Sequence, residues 1–91
     1  MKNNQNKISK ISFLLIEDFS MMAFVSALEP LRAANRISNA NLFEWEILSM
    51  DNQKVFCSNG ISIDTQKLIE EKLQTDILFV CSGLNVIDRI N

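Results

Sequence analysis

The rhythm of apolar and polar positions changes several times along this chain, and each change marks an element. Ile11 to Ile16 is a short, mostly apolar run closed by Glu17 and Asp18, which has the length and composition of a strand. From Phe19 to Asn35 the spacing becomes helical, with Met21, Phe24, Val25 and Leu28 at i, i+3, i+4 and i+7. Ser20 is placed to cap this helix by accepting a bond from a free N–H of the first turn. Pro30 has no N–H, and its ring crowds the carbonyl of Ser26. A kink or restart is therefore expected near Glu29, with Leu31, Ala34 and Ile37 carrying the stripe onward.

Ser38 to Asn41 reads as a polar loop. Phe43 to Met50 alternates large apolar residues with Glu44 and Glu46, the pattern of a strand with one partly wet face. Asp51-Asn52-Gln53 is a turn. Val55 to Ser58 and Ile61 to Ile63 flank Asn59-Gly60, a pair that tolerates the positive φ angles of a two-residue hairpin turn. Gln66 to Leu73 predicts a short helix with Leu68, Ile69 and Leu73 inward. Ile77 to Cys81 has no alternation and suits a strand buried on both faces of a parallel sheet. Asn85 to Ile90 opens a further helix.

This order is that of an α/β protein. A right-handed crossover sets Ile11–Ile16 beside Ile77–Cys81. Residues 1–10, MKNNQNKISK, read as a flexible polar arm, and residues 11–91 as part of one domain without repeat or linker.

Composition narrows the classes. The 91 residues fall below the roughly 100–150 of a usual domain, yet 47% are apolar, so a core is intended. Net charge is −2 and the nine Lys and Arg are scattered, which excludes a basic stripe for nucleic acid on this piece. No run approaches the ~18 apolar residues of a membrane span. Glu17 and Asp18 interrupt the stretch that a signal peptide would need, so a cytoplasmic protein without a membrane partner is expected. The chain has two cysteines and no histidine, so neither a metal site nor a cofactor is expected. Cys57 and Cys81 read as reduced, buried thiols.

Four segments carry a resemblance: FSMMAF from Phe19, EPLRAAN from Glu29, Ser58-Asn59-Gly60-Ile61, and Val80-Cys81-Ser82-Gly83. Together they resemble the opening of the ThiJ/PfpI-like (class I glutamine-amidotransferase-like) sensor domain of AraC/GlxA-type transcriptional regulators. The subgroup most resembled regulates carnitine, choline and betaine catabolism. The likeness covers nearly all of the chain from Ile11, but only the first half of that sensor domain. It implies a truncated flavodoxin-like three-layer sandwich with a parallel sheet and a β-hairpin. The Ile77 strand would then have an open edge and one helix layer would be missing, a state that favours association or misfolding.

The same resemblance bears on activity. Catalytic members of the superfamily hold a cysteine on a tight strand-to-helix turn beside an acidic residue of the first helix. This chain stops ahead of that turn, and Ala23 stands where others carry Asp or Glu. A non-catalytic ligand-sensing fragment is therefore expected. Its implied partners are a small metabolite (a quaternary amine or amino-acid derivative), a second subunit, and DNA only through a C-terminal helix-turn-helix domain outside this chain. The rivals are a fragment of a ThiJ/PfpI-like hydrolase or glyoxalase, which would need the cysteine turn and usually a histidine, and a fragment that acts by dimerising with a full-length partner.

Candidate residues follow from position. Glu17 and Asp18, with Cys81, Ser82 and Gly83, lie at the C-terminal ends of two strands, where open α/β sheets bind ligands. The plainer readings are a solvated loop for the two acids and apolar packing for Cys81, with Cys57 likewise a packing residue. Glu29 and Arg32 form either an i,i+3 ion pair or a grip on a zwitterion. Met22, off the main stripe, is the candidate subunit contact. Trp45 is expected to face the core; a single ring is thin support for an ammonium cage.

Overall fold

A computed structural model describes residues 7–51 and 53–83. The helix expected from Asn85 and most of the expected arm lie outside them. The first strand, β1 (Ser9–Leu15), begins inside the segment read as an arm, because the Ser9 N–H already donates to the Leu42 carbonyl. It is followed by α1 (Met21–Ser38), β2 (Phe43–Ser49), β3 (Lys54–Phe56), β4 (Ser62–Asp64), β5 (Lys67–Leu68) and β6 (Ile77–Cys81). Four strands form one sheet in the order β5-β2-β1-β6, each neighbouring pair parallel. β3 and β4 make a separate antiparallel hairpin. The result is an α/β fold with the flavodoxin-like placement of β1 between β2 and β6, and the described residues supply one of its helix layers.

The helix forms as its pattern predicts at the N-terminus. The Ser20 hydroxyl accepts from the Ala23 N–H at 3.2 Å, and Asn39 ends the helix in the left-handed region at φ 54°. No restart occurs at Pro30: a single helix runs through it, and Ser26 and Pro30 are both exposed. Phe24 is buried and Met21, Ala27, Leu28 and Leu31 pack behind it, whereas Val25 sits at the exposed margin of the stripe. Ile37 does not continue that stripe. Beyond Leu31 the inward positions are Ala34 and Asn35, and Ile37 is left 84% exposed. Asn35 ties the helix to β2, its Oδ1 accepting from the N–H groups of Leu42 and Phe43 and its Nδ2 donating to the Phe43 carbonyl.

Register then assigns faces. Ile11, Phe13 and Leu15 of β1 point toward α1 and form the core with Phe19, Phe24, Val55, Cys57 and Cys81. Phe13 meets Phe24 edge-on at 5.5 Å and stacks on Phe79 at 5.3 Å, while Phe19 meets Phe24 edge-on at 6.0 Å. Phe43, Trp45 and Ile47 of β2 pack against the same core, as expected for Trp45.

The opposite face holds a polar group. The buried Ser12 hydroxyl donates to Glu46 Oε2 at 2.7 Å and lies 2.8 Å from the Thr75 hydroxyl. Lys67 Nζ and Lys10 Nζ approach Glu46 Oε1 at 3.4 and 3.9 Å. Burial works to raise the Glu46 pKa, but the Ser12 hydroxyl and the two ammonium groups lower it, and the lowering prevails. A carboxyl depressed in the folded state stabilises fully above its unfolded pKa, and that stabilisation is lost as pH falls through the folded value. Urea midpoints should therefore drop as acid passes the usual carboxylate range, and Glu46→Gln should flatten that drop. An unchanged profile in the variant would exclude Glu46 as its source.

Three expectations fail for identifiable reasons. Residues 66–73 form no helix, because the Gln66 and Ile69 N–H groups donate to the Ile47 and Ser49 carbonyls and lay this segment along β2 as β5. The hairpin turn has three residues rather than two. Cys57 donates to the Ile61 carbonyl, Gly60 donates to the Cys57 carbonyl, and within the loop only Gly60 takes a positive φ, 91°. Among the described residues β6 is not buried on both faces: it stands at the sheet edge, open as the resemblance implied, with Ile77, Leu78, Phe79 and Val80 all exposed.

Candidate functional site

The loop from Glu17 to Ser20 joins three parts of the molecule at the C-terminal edge of the sheet. The Ile16 N–H donates to the Cys81 carbonyl, and the Ser20 N–H donates to the Ser82 carbonyl, fixing the end of β6. On the other side, the Asp18 N–H donates to the Phe56 carbonyl at 2.8 Å, and the Ser58 N–H to the Phe19 carbonyl at 2.9 Å. The hairpin is thereby fastened to β1. Asp18 adopts φ 69°, a left-handed conformation that Asp accepts more readily than most residues. Gly83 packs so closely that a Cβ there would overlap the Asp18 carbonyl.

Beside this hub is an open cleft of about 880 Å³ lined by Glu17, Asp51, Gln53, Lys54, Phe56, Asp64 and Thr65. It lies beyond the ends of β1 and β2 and is floored by the hairpin. Three carboxylates face one ammonium, and Lys54 Nζ is 3.9 Å from Asp64 Oδ1. Glu17 Oε1 accepts a long bond of 3.4 Å from the Phe56 N–H. Thr65 is buried, and its hydroxyl lies within hydrogen-bond distance of Ser49 Oγ and the Gln53 carbonyl, both at 3.0 Å. Phe56 is 43% exposed. Such a cleft attracts cations and offers an aromatic face.

The sequence-predicted residues separate into groups. Glu17 lines the cleft. Asp18, Ser82 and Gly83 belong to the hub through their backbones. Cys81 is buried, and burial pushes its thiol pKa up, which disfavours a thiolate nucleophile. Cys57 is buried too, its Sγ donating to the Ile61 carbonyl. Glu29 and Arg32 lie on the exposed face of α1, away from the cleft, as a bidentate pair with contacts of 2.6 and 3.1 Å. Hydrogen bonding to Arg32 lowers the Glu29 pKa, and the pair is a surface contact. Met22 is 75% exposed, and Ala23 leaves the first turn of α1 without an acid. Among the described residues no cluster of three or more His, Cys, Asp or Glu could hold a metal ion, and no helix is long and apolar enough to cross a membrane. Asp51, Gln53, Lys54, Phe56, Asp64 and Thr65 were not singled out from sequence. The hairpin signal at Asn59-Gly60 locates them only once the hairpin is known to dock on the end of β1.

Fold and cleft define an α/β domain with an open site at the carboxyl edge of its sheet. No protein-family model matches the chain. It is 48% identical over 71 residues to the HTH-type transcriptional regulator CdhR of Pseudomonas aeruginosa, covering 78% of this chain and 21% of that protein. It is 36% identical over 83 residues to the HTH-type transcriptional regulator GbdR of the same species, covering 91% and 22%. Among solved structures, an AraC family transcriptional regulator from Pseudomonas putida superposes with a TM-score of 0.76 at 34% identity, covering 84% of this chain and 41% of that one. The chain is thus similar to one part of HTH-type and AraC family transcriptional regulators, in keeping with the N-terminal sensor part of GlxA/AraC-type regulators. It spans about a fifth of the length of the curated relatives it matches.

Proposed function

We propose that this chain is a non-catalytic, ligand-sensing part of an AraC-type regulator and that its ligand is a quaternary amine or a related amino-acid derivative. The 48% identity to a transcriptional regulator carries the first half of this reading. The cleft supports the second. A quaternary ammonium has no N–H to donate, so it is recognised by negative charge and by an aromatic face, which Glu17, Asp51, Asp64 and Phe56 supply. Against the hydrolase or glyoxalase alternative stand the relatives, which are transcriptional regulators, and Ala23, which leaves the first turn of α1 without the acid that the catalytic pattern would use. In this reading the protein works in the cytoplasm as a homodimer, with Met22 as a subunit contact. Ligand biases the regulator between states, and DNA is held by a separate helix-turn-helix part.

Calorimetric titration with choline and with its uncharged carbon isostere, 3,3-dimethylbutan-1-ol, tests the ligand class. Choline should bind saturably, the isostere should not, and Phe56→Ala and Glu17→Gln should each weaken choline binding. Equal binding of the isostere, or choline binding indifferent to both substitutions, would remove the cleft as the site.

A further inference from the structure

The turn of the hairpin holds the one Asn-Gly pair of the sequence, Asn59-Gly60, and both residues are exposed. Such a pair is chemically labile, because the backbone nitrogen of the glycine attacks the side-chain amide carbon of the asparagine and no Cβ crowds the approach. The turn sets the reacting groups in a defined arrangement. Asn59 Oδ1 accepts from the Ile61 N–H at 2.9 Å, which folds the side chain back over Gly60. That donor also stabilises the negative charge that an attacked amide oxygen gathers. Gly60 borders open space: a Cβ placed there would meet nothing within 4 Å, so a ring and water both fit. One bond works the other way, since the Gly60 N–H is held by the Cys57 carbonyl at 3.0 Å.

We propose that Asn59 is a deamidation site built into the hairpin, gated by the bond between Gly60 and Cys57, and that its conversion loosens the hairpin from the rest of the domain. The Gly60 nitrogen loses its proton to solvent and forms a bond to Asn59 Cγ; the Cγ–Nδ2 bond breaks and ammonia leaves. The resulting succinimide ring takes up water at either carbonyl and opens to an aspartyl or an isoaspartyl residue. The two products differ mechanically. An aspartyl side chain keeps an oxygen for the Ile61 N–H and preserves the turn. An isoaspartyl residue routes the main chain through its Cβ and lengthens the loop by one carbon. The loop then cannot keep the Cys57 N–H on the Ile61 carbonyl, now 2.8 Å, together with the Gly60 N–H on the Cys57 carbonyl. Ser58 stands directly before Asn59, and its N–H bond to the Phe19 carbonyl is one of those that fasten the hairpin to β1. A change at the turn thus reaches the floor of the cleft.

Peptide mapping by mass spectrometry tests this on the 91-residue chain, aged at mildly alkaline pH in buffer and in denaturant. Asn59 should convert well ahead of Asn39 and Asn41, which are also exposed but precede Ala40 and Leu42. The folded chain should react roughly two- to tenfold more slowly than the denatured one, the effect of holding a single hydrogen bond. Amide exchange at Cys57 and Ser58 should quicken in the isoaspartyl product and stay slow in Asn59→Asp. Asn59→Ser keeps an acceptor for the Ile61 N–H but has no carbonyl to attack. It should match the parent by circular dichroism and keep its hairpin amides slow after the same ageing. Four results would each overturn the proposal: Asn59 converting no faster than Asn39 and Asn41, a folded rate equal to or above the denatured one, an isoaspartyl product with parental exchange, or a serine variant that loosens on ageing.

Discussion

Phe13→Ala should lower stability by about 3–5 kcal/mol, the range for deleting a buried aromatic ring. Phe13 is fully buried and is the ring on which three elements converge: β1 carries it, Phe24 of α1 meets its edge, and Phe79 of β6 stacks on it. Neither neighbour can refill the space by rotating alone, since Phe24 is also held edge-on by Phe19. Small domains have about 5–15 kcal/mol in all, so this loss would consume much of the total. Urea denaturation followed through Trp45, the single tryptophan, measures it. Phe13→Leu keeps most of the volume and should cost under about 1.5 kcal/mol by the usual behaviour of near-isosteric core changes. If alanine and leucine behave alike, Phe13 is not the junction of the core.

Gly83→Ala is the second large effect, and its origin is steric. Gly83 has no need of a left-handed backbone; what excludes a side chain is the Asp18 carbonyl at the position of the missing Cβ. The obstacle is backbone, so it cannot swing aside as a flexible side chain would. Asp18 is further pinned by its bond to the Phe56 carbonyl. Relief requires the Glu17–Ser20 loop to shift, which strains the bonds to Ser82, Phe56 and Ser58 together. About 1–3 kcal/mol is expected for such overpacking, or roughly 10 °C in Tm for a chain of this size. Exchange at the Ser20 and Ser58 amides should accelerate as well. A melting point within a degree of the parent would show that the two loops can part freely.

Much of the architecture was legible because periodicity and end signals agreed. β1, α1, β2 and β6 each combine a clear apolar pattern with a polar or capping boundary, and Ser20 caps as its position requires. The failures came where tertiary partners outvoted a local pattern. Leu68, Ile69 and Leu73 suit a helix, but carbonyls at the edge of β2 claim the Gln66 and Ile69 N–H groups. Pro30 led to the expectation of a kink or a restart, and the restart does not occur: a proline removes one bond, and at an exposed position of α1 that loss is tolerated. The apolar run of β6 reads as a strand covered on both faces, while its place at the edge is expected from the resemblance and not from the run itself. The site was half legible. Glu17 follows from its place at a strand end, but the other cleft residues come from the hairpin, whose docking depends on backbone bonds at Asp18 and Ser58 that no side-chain pattern encodes.

The carboxylate on the far side of the sheet has a consequence for assembly. Slide β2 by a single residue along β1 and all its side chains change sides. Glu46 would then stand among Phe13, Phe24 and Phe79, with Ser12 and both lysines out of reach. The nearest misalignment is thus penalised by a stranded ion in an aromatic interior, far more than by imperfect packing. Glu46 proofreads the alignment of the two central strands.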